Sequence, residues 1–170
     1  RGRGLIAIRR QPALLLAALT LGAAAPGPAE ERMGPLHATG TFDVKITPEA
    51  SGDAPTGGVP TARMAIAKSF TGGMTGTAAG TMVSAGVPEP GQAAAYVALD
   101  QFTGSVDGHH GGFVLLHRGT MTRTGASDLS ITIAPDSGTG ALTGIAGSLS
   151  IEIAGGVHRY DLSYALPARD

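Results

Sequence analysis

An aspartate and a histidine on two neighbouring predicted strands are the residues of this sequence best suited to chemistry. Asp100 lies in the run AAAYVALDQFTGSV and His117 in the run GGFVLLHRGTMT. If the connecting hairpin is centred between Gly108 and His109, Asp100 lies directly opposite His117. A shift of the turn by one residue keeps both side chains on one face. A carboxylate beside an imidazole is held ionised, and the imidazole can act as an acid or a base near neutral pH.

A second histidine is predicted at the same end of these strands. In an antiparallel meander, alternate hairpin tips lie at opposite ends, and His158 follows the predicted Gly155-Gly156 turn. Asp100 and His117 are eight and nine residues from Gly108, roughly 25 Å by strand rise and therefore toward the His158 end. Asp100, His117 and His158 are the candidate catalytic residues. Lys68 is predicted near the opposite end, with its ammonium group in water.

Other kinds of site find little support. The chain has no cysteine, which excludes thiol nucleophiles and zinc-thiolate centres. It has no GxSxG elbow, phosphate loop or dinucleotide fingerprint, so we expect no cofactor. His109 and His110 follow Asp107, but they lie in a glycine-rich turn where histidines are usually solvated, and we expect no metal. A polar pair inside a barrel can also be a hydrogen-bonded plug, so a structural role for Asp100 and His117 stays open.

The elements that would position these residues are strands with a two-residue hydrophobic period. Four runs alternate clearly: ATGTFDVKI, LSITI, LSIEI and HRYDLSYAL. Four weaker runs lie at 62–70, 74–83, 93–106 and 111–122. Turn sequences such as Thr71-Gly72-Gly73, Asp107-Gly108 and Thr124-Gly125 separate them. Eight such strands most simply close into an all-β, antiparallel up-and-down barrel, and an open sandwich is the alternative.

Strand parity predicts which side chains face the interior. Asp100 shares a face with Tyr96 and Phe102, and His117 shares one with Phe113 and Leu115. The candidate ligand-binding residues are therefore Tyr96, Phe102, Phe113, Leu115, Tyr160 and Tyr164. The opposite face of the same two strands carries Val97, Leu99, Val114 and Leu116. Because large exposed apolar patches are uncommon on monomers, we interpret that outer face as a homo-oligomer interface.

The N-terminal segment has the pattern of an export signal. Four arginines precede the uncharged run at 13–25, which is too short to span a bilayer, and a stretch of small residues follows it. We predict a signal-peptide helix at 1–29, a linker at 30–36, a β-barrel domain at 37–167, and a periplasmic or extracellular location. Without residues 1–29 the chain has eight basic and thirteen acidic residues. We therefore expect no nucleic-acid partner and no membrane association after signal removal.

Three longer stretches carry a family resemblance. The runs FTGSVDGHHGGFVLLHRGT, APDSGTGALTGIAG and GVHRYDLSYAL resemble the bacterial domain-of-unknown-function family 3224, whose members resemble allene oxide cyclase barrels. The resemblance covers about residues 37–167, and SGTGALTGIAG at 137–147 is its most specific part. It implies an eight-stranded barrel with an internal cavity and no particular activity. The matching positions include Lys68, His117, His158 and Asp100, where the family pattern leads us to expect glutamate.

Three functions follow as hypotheses. The favoured one is a noncatalytic barrel that binds a small apolar or amphipathic molecule in its cavity. The second is an isomerase or cyclase of the allene oxide cyclase type, in which Asp100 and His117 stabilise or shuttle charge on an unsaturated lipophilic substrate. The third is a solid barrel with a structural or interaction role. Interior space of about 300 Å³ or more would favour the first two over the third.

Overall fold

Strands account for all the regular structure in the described part of the chain. The computed structural model describes residues 35–52, 58–86 and 91–168, and these ranges contain no helix. The strands are β1 (Leu36–Gly52), β2 (Thr61–Gly72), β3 (Met74–Gly86), β4 (Ala94–Val106), β5 (His109–Met121), β6 (Ser127–Ile133), β7 (Thr139–Gly140), β8 (Ala146–Ala154) and β9 (Val157–Ala165).

The strands form a closed antiparallel barrel. Each long strand pairs with the next long strand along the chain, β9 pairs with β1, and the β4–β5 pairing completes the circle. The barrel strands are β1 to β6, β8 and β9. The two-residue β7 pairs only with the start of β5, at Gly111 and Gly112. The predicted eight-stranded up-and-down barrel is confirmed, and the sandwich alternative is wrong.

Tight turns connect the strands where the sequence predicted them. The β4–β5 turn consists of Asp107 and Gly108, with φ angles of 47° and 81°, and Val106 pairs with His109. Gly155 and Gly156 form the β8–β9 turn in the same way, with φ angles of 59° and 79°. Two residues with positive φ give a turn whose twist matches that of the strands it joins. This geometry sets the register of both hairpins.

Side chains fill one end of the barrel, which we call the packed half. The rings of Phe70, Phe102 and Phe113 lie in sequence, with centroids 5.6 Å and 5.0 Å apart. Leu142 and Ile145, in the segment that follows β7, are 0% and 3% exposed and join the same cluster. Its other large members are Phe42, Met74, Val106, Leu115, Ile131, Ile133, Leu149, Tyr160, Leu162 and Tyr164. This end of the barrel is therefore closed by hydrophobic packing.

Strand parity is confirmed on both faces of β4 and β5. Phe102, Phe113 and Leu115 are buried, whereas Leu99 and Leu116 are 55% and 44% exposed and pair with each other on the outside. The homo-oligomer expected from this outer face stays a prediction.

The predicted signal peptide lies outside the described residues, as does most of the predicted linker, whose last residue, Leu36, begins β1. The predicted export also stays a prediction. Among the residues that the structure describes, no helix is long and apolar enough to cross a membrane.

Candidate functional site

Asp100 is a fully buried carboxylate in the middle of the barrel wall. It lies on the inward face of β4, is 0% exposed, and pairs with Gly80 on β3 and Leu115 on β5. Gly80 makes room for it, because a Cβ at that position would collide with Asp100 Oδ1 and with the carbonyl oxygen of Leu99. Burial of an ionised carboxylate is unfavourable unless charged or hydrogen-bonding partners surround it.

His117 is the first of these partners. The turn at Asp107 and Gly108 shifts the predicted register, so Ala98 rather than Asp100 lies opposite His117. The directly opposed arrangement is therefore wrong and the diagonal one is correct. Both side chains remain on the inner face, and His117 Nε2 lies 3.1 Å from Asp100 Oδ2. The distance is that of a hydrogen bond, but Nε2 has no aligned hydrogen-bond partner among the described residues.

Lys68 is the second partner, and its predicted position was wrong. It is 8% exposed, and its Nζ donates a hydrogen bond to Asp100 Oδ2 instead of reaching water at the far end. The reason lies on β3, which separates β2 from β4. The inward positions there are Ala78, paired with Lys68, and Gly80, paired with Asp100. These two residues are so small that the lysine chain crosses β3 to the carboxylate.

The three side chains form a buried charged cluster whose electrostatics favour ionised Asp100. Burial raises the pKa of Asp100, but the nearby His117 ring and Lys68 ammonium outweigh burial, so the pKa lies below its ordinary value. Burial, and then the charge of Asp100, raise the pKa of Tyr96, which lies on the same face of β4. Asp100 Oδ1 has no hydrogen-bond partner among the described residues.

A cavity of about 340 Å³ lies beside this cluster in the other half of the barrel. All eight barrel strands contribute to its wall, so the cavity is the lumen of the barrel. Its body is apolar, and Ile66, Met82 and Ile151 are among its wall residues. Ile46 and Ile153 also line it and are 49% and 64% exposed, which places the mouth at the β8–β9 turn end.

The cavity brings together three of the polar residues that the sequence singled out. His117, His158 and Lys68 all line it, while Asp100 lies behind them. The centroids of the His158 and Phe42 rings are 5.0 Å apart, and Lys68 Nζ lies 5.4 Å from the centroid of the Phe42 ring. Ser84 is also in the wall and was not among the predicted site residues. The alternation of inward and outward side chains along β3 places Ser84 on the inner face and could have identified it.

The predicted aromatic ligand contacts divide between two places. Tyr96 lines the cavity. Phe102, Phe113, Leu115, Tyr160 and Tyr164 lie instead in the packed half, away from the cavity wall. Parity correctly turned these five side chains inward, but it did not reveal that Leu142 and Ile145 would occupy the space between them.

The two buried tyrosines of β9 have hydrogen-bond partners within the packed half. Tyr160 Oη accepts a 2.7 Å hydrogen bond from the Met74 backbone N–H, and Tyr164 Oη donates a 2.8 Å one to Asp107 Oδ2. Burial, followed by the hydrogen bond to Asp107 and its charge, raises the pKa of Tyr164 to about 12. These contacts give Tyr160 and Tyr164 a structural role.

The described ranges contain no cluster of three or more histidine, aspartate or glutamate side chains able to hold a metal ion. The arrangement at the cavity is instead suited to two tasks. Lys68 and His117 can bind a polar group of a ligand, and His117 beside Asp100 can transfer a proton.

Comparisons with known proteins identify the family. A solved structure from Shewanella oneidensis MR-1, described as a protein of unknown function from the DUF3224 family, is 40% identical in sequence. The match covers 79% of this chain and 99% of that chain, with a TM-score of 0.71. No curated protein matches the chain. The family model described as "Protein of unknown function (DUF3224)" matches residues 38–164. The chain therefore belongs to the DUF3224 family.

Proposed function

We propose that this barrel binds a small molecule with an apolar body and a polar head inside its cavity. The observation that carries the proposal is the cavity of about 340 Å³, which has apolar walls and a buried charged cluster at its inner end. Pockets for small molecules commonly have volumes of about 300–1,000 Å³ and a few polar groups that orient the ligand. The cavity also argues against the solid-barrel hypothesis.

The test is to fill the cavity and measure binding. Ala98 is buried in the wall, so Ala98→Phe places a ring in the lumen, whereas Ala79→Phe on β3 points outward and is the matched control. Binding of decanol, a probe with an apolar chain and a small polar head, is measured by calorimetry. We expect Ala98→Phe to weaken binding at least about tenfold, equivalent to about 1.4 kcal/mol, and the control to bind like wild type.

Folding of both variants is checked by circular dichroism and thermal unfolding. A wild-type protein that binds no apolar probe, or a folded Ala98→Phe variant that binds decanol unchanged, would contradict the proposal. Native mass spectrometry of the purified protein is an independent measurement, because a copurified molecule would appear as an added mass that Ala98→Phe removes.

A second candidate is an isomerase or cyclase that acts on an unsaturated lipophilic substrate, as in the allene oxide cyclase type. The observation that favours it is the 3.1 Å contact between Asp100 and His117, because His117 also faces the cavity. Incubation with unsaturated fatty-acid epoxides should show turnover that Asp100→Asn and His117→Ala abolish while both variants remain folded. Binding of these compounds by wild type without turnover would leave the binding function alone.

A further inference from the structure

The polar groups that line the cavity share one chemical property, which is that all of them can donate hydrogen bonds. They are Lys68, Ser84, Tyr96, His117 and His158. No carboxylate belongs to the wall among the described residues. The one acid that contacts these groups, Asp100, is 0% exposed and lies behind them. A ligand in the cavity therefore meets donors and one permanent positive charge.

Lys68 retains donor capacity after its contact with Asp100. An ammonium group has three N–H donors, and Asp100 is the only hydrogen-bond partner of Lys68 Nζ that the described residues provide. The side chain is 8% exposed and lines the cavity, so the remaining donors are available to a group inside it. An oxygen acceptor that enters the cavity can take one of them without breaking the ion pair with Asp100.

Two further buried groups in the same wall lack hydrogen-bond partners. Ser84 is 3% exposed and His117 is 4% exposed, and neither Ser84 Oγ nor His117 Nε2 has a hydrogen-bond partner within the described ranges. Buried polar atoms in folded proteins are almost always paired with protein, water or ligand. His117 Nε2 lies beside Asp100, whereas Ser84 is four residues nearer the mouth on β3 than Gly80, which pairs with Asp100. The unpartnered atoms therefore lie at two levels of the cavity, where a polar ligand group or water can pair with them.

The size of the cavity limits the apolar part of the ligand. The volume of about 340 Å³ lies close to the lower limit of about 300 Å³ for small-molecule pockets. The wall between the charged cluster and the mouth contains the aliphatic residues Val44, Ile66 and Ile151. It also contains the polar residues Ser84, Tyr96 and His158. A single unbranched chain of about ten carbons matches this volume and lining.

We propose, building on the proposed binding function, that the cavity selects medium-chain monocarboxylates whose carboxylate contacts Lys68 and whose tail points toward the mouth. Charge balance adds a consequence. Lys68 and Asp100 neutralise each other, so a bound carboxylate brings a second negative charge to one fixed positive charge. His117 restores the balance by taking up a proton from solvent when the ligand binds.

Two histidines in the cavity wall, His117 and His158, are able to supply that charge. Lys68 comes from β2, Asp100 and Tyr96 from β4, His117 from β5, and His158 from β9, near Phe42. The cavity residues on β1, β3, β6 and β8 are uncharged. His117 is the histidine that already lies 3.1 Å from the carboxylate of the cluster, so it is the proton acceptor in this scheme.

The test compares three ten-carbon probes that differ only in the head group. Decanoate, decanol and decyltrimethylammonium are titrated calorimetrically into the full chain at pH 6 and pH 8. We expect decanoate to bind at least about tenfold more tightly than decanol at pH 6, and this preference to shrink at pH 8. The cationic probe should bind most weakly. Repeating the decanoate titration in buffers of different ionisation enthalpy should show net proton uptake.

Variants separate the head-group preference from binding itself. The double variant Lys68→Met/Asp100→Leu removes both members of the ion pair, and this is less harmful to folding than removal of one member. We expect it to lose the preference for decanoate over decanol, because no ammonium group of the described cavity wall then faces the head of the probe. Lys45→Met, an exposed lysine on β1, is the matched control and should keep the preference.

The outcomes distinguish the two proposals. Equal affinity for decanoate and decanol in wild type, or a double variant that keeps the preference, would overturn the carboxylate assignment and leave the binding function intact. Absence of binding by all three probes would overturn the binding function itself. Tighter binding at pH 8 than at pH 6 would exclude proton uptake by His117.

Discussion

Lys68, Asp100 and His117 are individually costly to bury, and each is tolerated because of the others. Asp100 is 0% exposed and Lys68 is 8% exposed, so water screens their interaction poorly. Removal of a single partner leaves an uncompensated charge inside the barrel. The cluster therefore links folding stability to the composition of the candidate site.

Replacement of one ion-pair partner should be more harmful than replacement of both. We expect Asp100→Leu to lower the free energy of unfolding by about 3–5 kcal/mol, because it leaves the Lys68 ammonium unpaired. Adding Lys68→Met should recover part of that loss in urea denaturation. The exposed pair of Arg118 and Asp128 is the control, where Asp128→Leu should cost no more than about 1 kcal/mol. Additive effects of the two core substitutions would refute the coupling.

Acid should weaken the fold through Asp100. Its pKa in the folded protein lies below its ordinary value of 3.8, because His117 on β5 and Lys68 on β2 outweigh the effect of burial. A lowered pKa stabilises the folded state above the ordinary value, and this contribution is lost as the pH falls through the folded pKa. We expect the stability difference between wild type and Asp100→Asn to diminish as the pH falls below about pH 4. A difference independent of pH down to about pH 2 would contradict this.

Part of the site could be predicted from residue positions alone. Parity and hairpin counting placed Asp100 and His117 together on the inner face, and even a register error preserved their contact. Lys68 could not be placed in this way. Counting along a strand gives a height in the barrel, but it does not show that the intervening Ala78 and Gly80 are small enough for a long side chain to cross.

At the scale of the elements, β3 lies between β2 and β4 and allows Lys68 on β2 to form an ion pair with Asp100 on β4. Its inward side chains near the cluster are a methyl group and a hydrogen atom, at Ala78 and Gly80. A larger side chain at either position would occupy the space through which Lys68 reaches Asp100. The strand thus affects the site without contributing a polar group to the cluster.

Gly80→Ala should disrupt the cluster more than its small size suggests. The new Cβ would collide with Asp100 Oδ1 and the Leu99 carbonyl oxygen, so β3 or β4 must shift. We expect a loss of about 1–3 kcal/mol in unfolding free energy, typical of overpacking, and weaker decanoate binding. Ala79→Ser, on the outer face of β3, should leave both quantities unchanged. A Gly80→Ala variant with wild-type stability would show that the strands yield easily at this point.

The barrel strands were predictable because each has a two-residue hydrophobic period bounded by turn residues. Phe42, Ile131 and Leu162, for example, are buried as their alternation indicated. The segment between β6 and β8 has no such period, and its strand β7 has only two residues. Its contribution depends on Leu142 and Ile145 inserting into a space that exists only after the barrel has closed. The hydrophobic pattern of the segment itself does not predict this insertion.

At the scale of the whole molecule, packed side chains fill one half of the barrel interior and the cavity occupies the other half. Leu142 and Ile145 belong to the large hydrophobic cluster of the packed half, and neither lines the cavity. Ile66, Met82 and Ala98 form a smaller cluster, and all three lie in the cavity wall. The two halves should therefore respond differently to substitution.

Leu142→Ala should destabilise the protein without changing the cavity. The side chain is 0% exposed, so its truncation should lower the unfolding free energy by about 2–5 kcal/mol, as expected for a large-to-small core substitution. Decanol affinity at a temperature where the variant is folded should equal that of wild type. Thermal unfolding measures the stability of the variant, and calorimetry measures its affinity for decanol. A parallel loss of affinity would indicate that the two halves are coupled.

The packed half has a consequence for the kinetics of exchange. Hydrophobic side chains close that end of the lumen, so the cavity formed by the described residues has a single opening at its mouth. A ligand would therefore enter and leave through the same mouth. A molecule whose head lies against Lys68 must enter head first, so its head passes the donors of Ser84, Tyr96 and His158 as it loses water. The residence time of a ligand would then depend chiefly on how strongly its head group is bound. A second ligand molecule could enter only after the first had left through the same mouth.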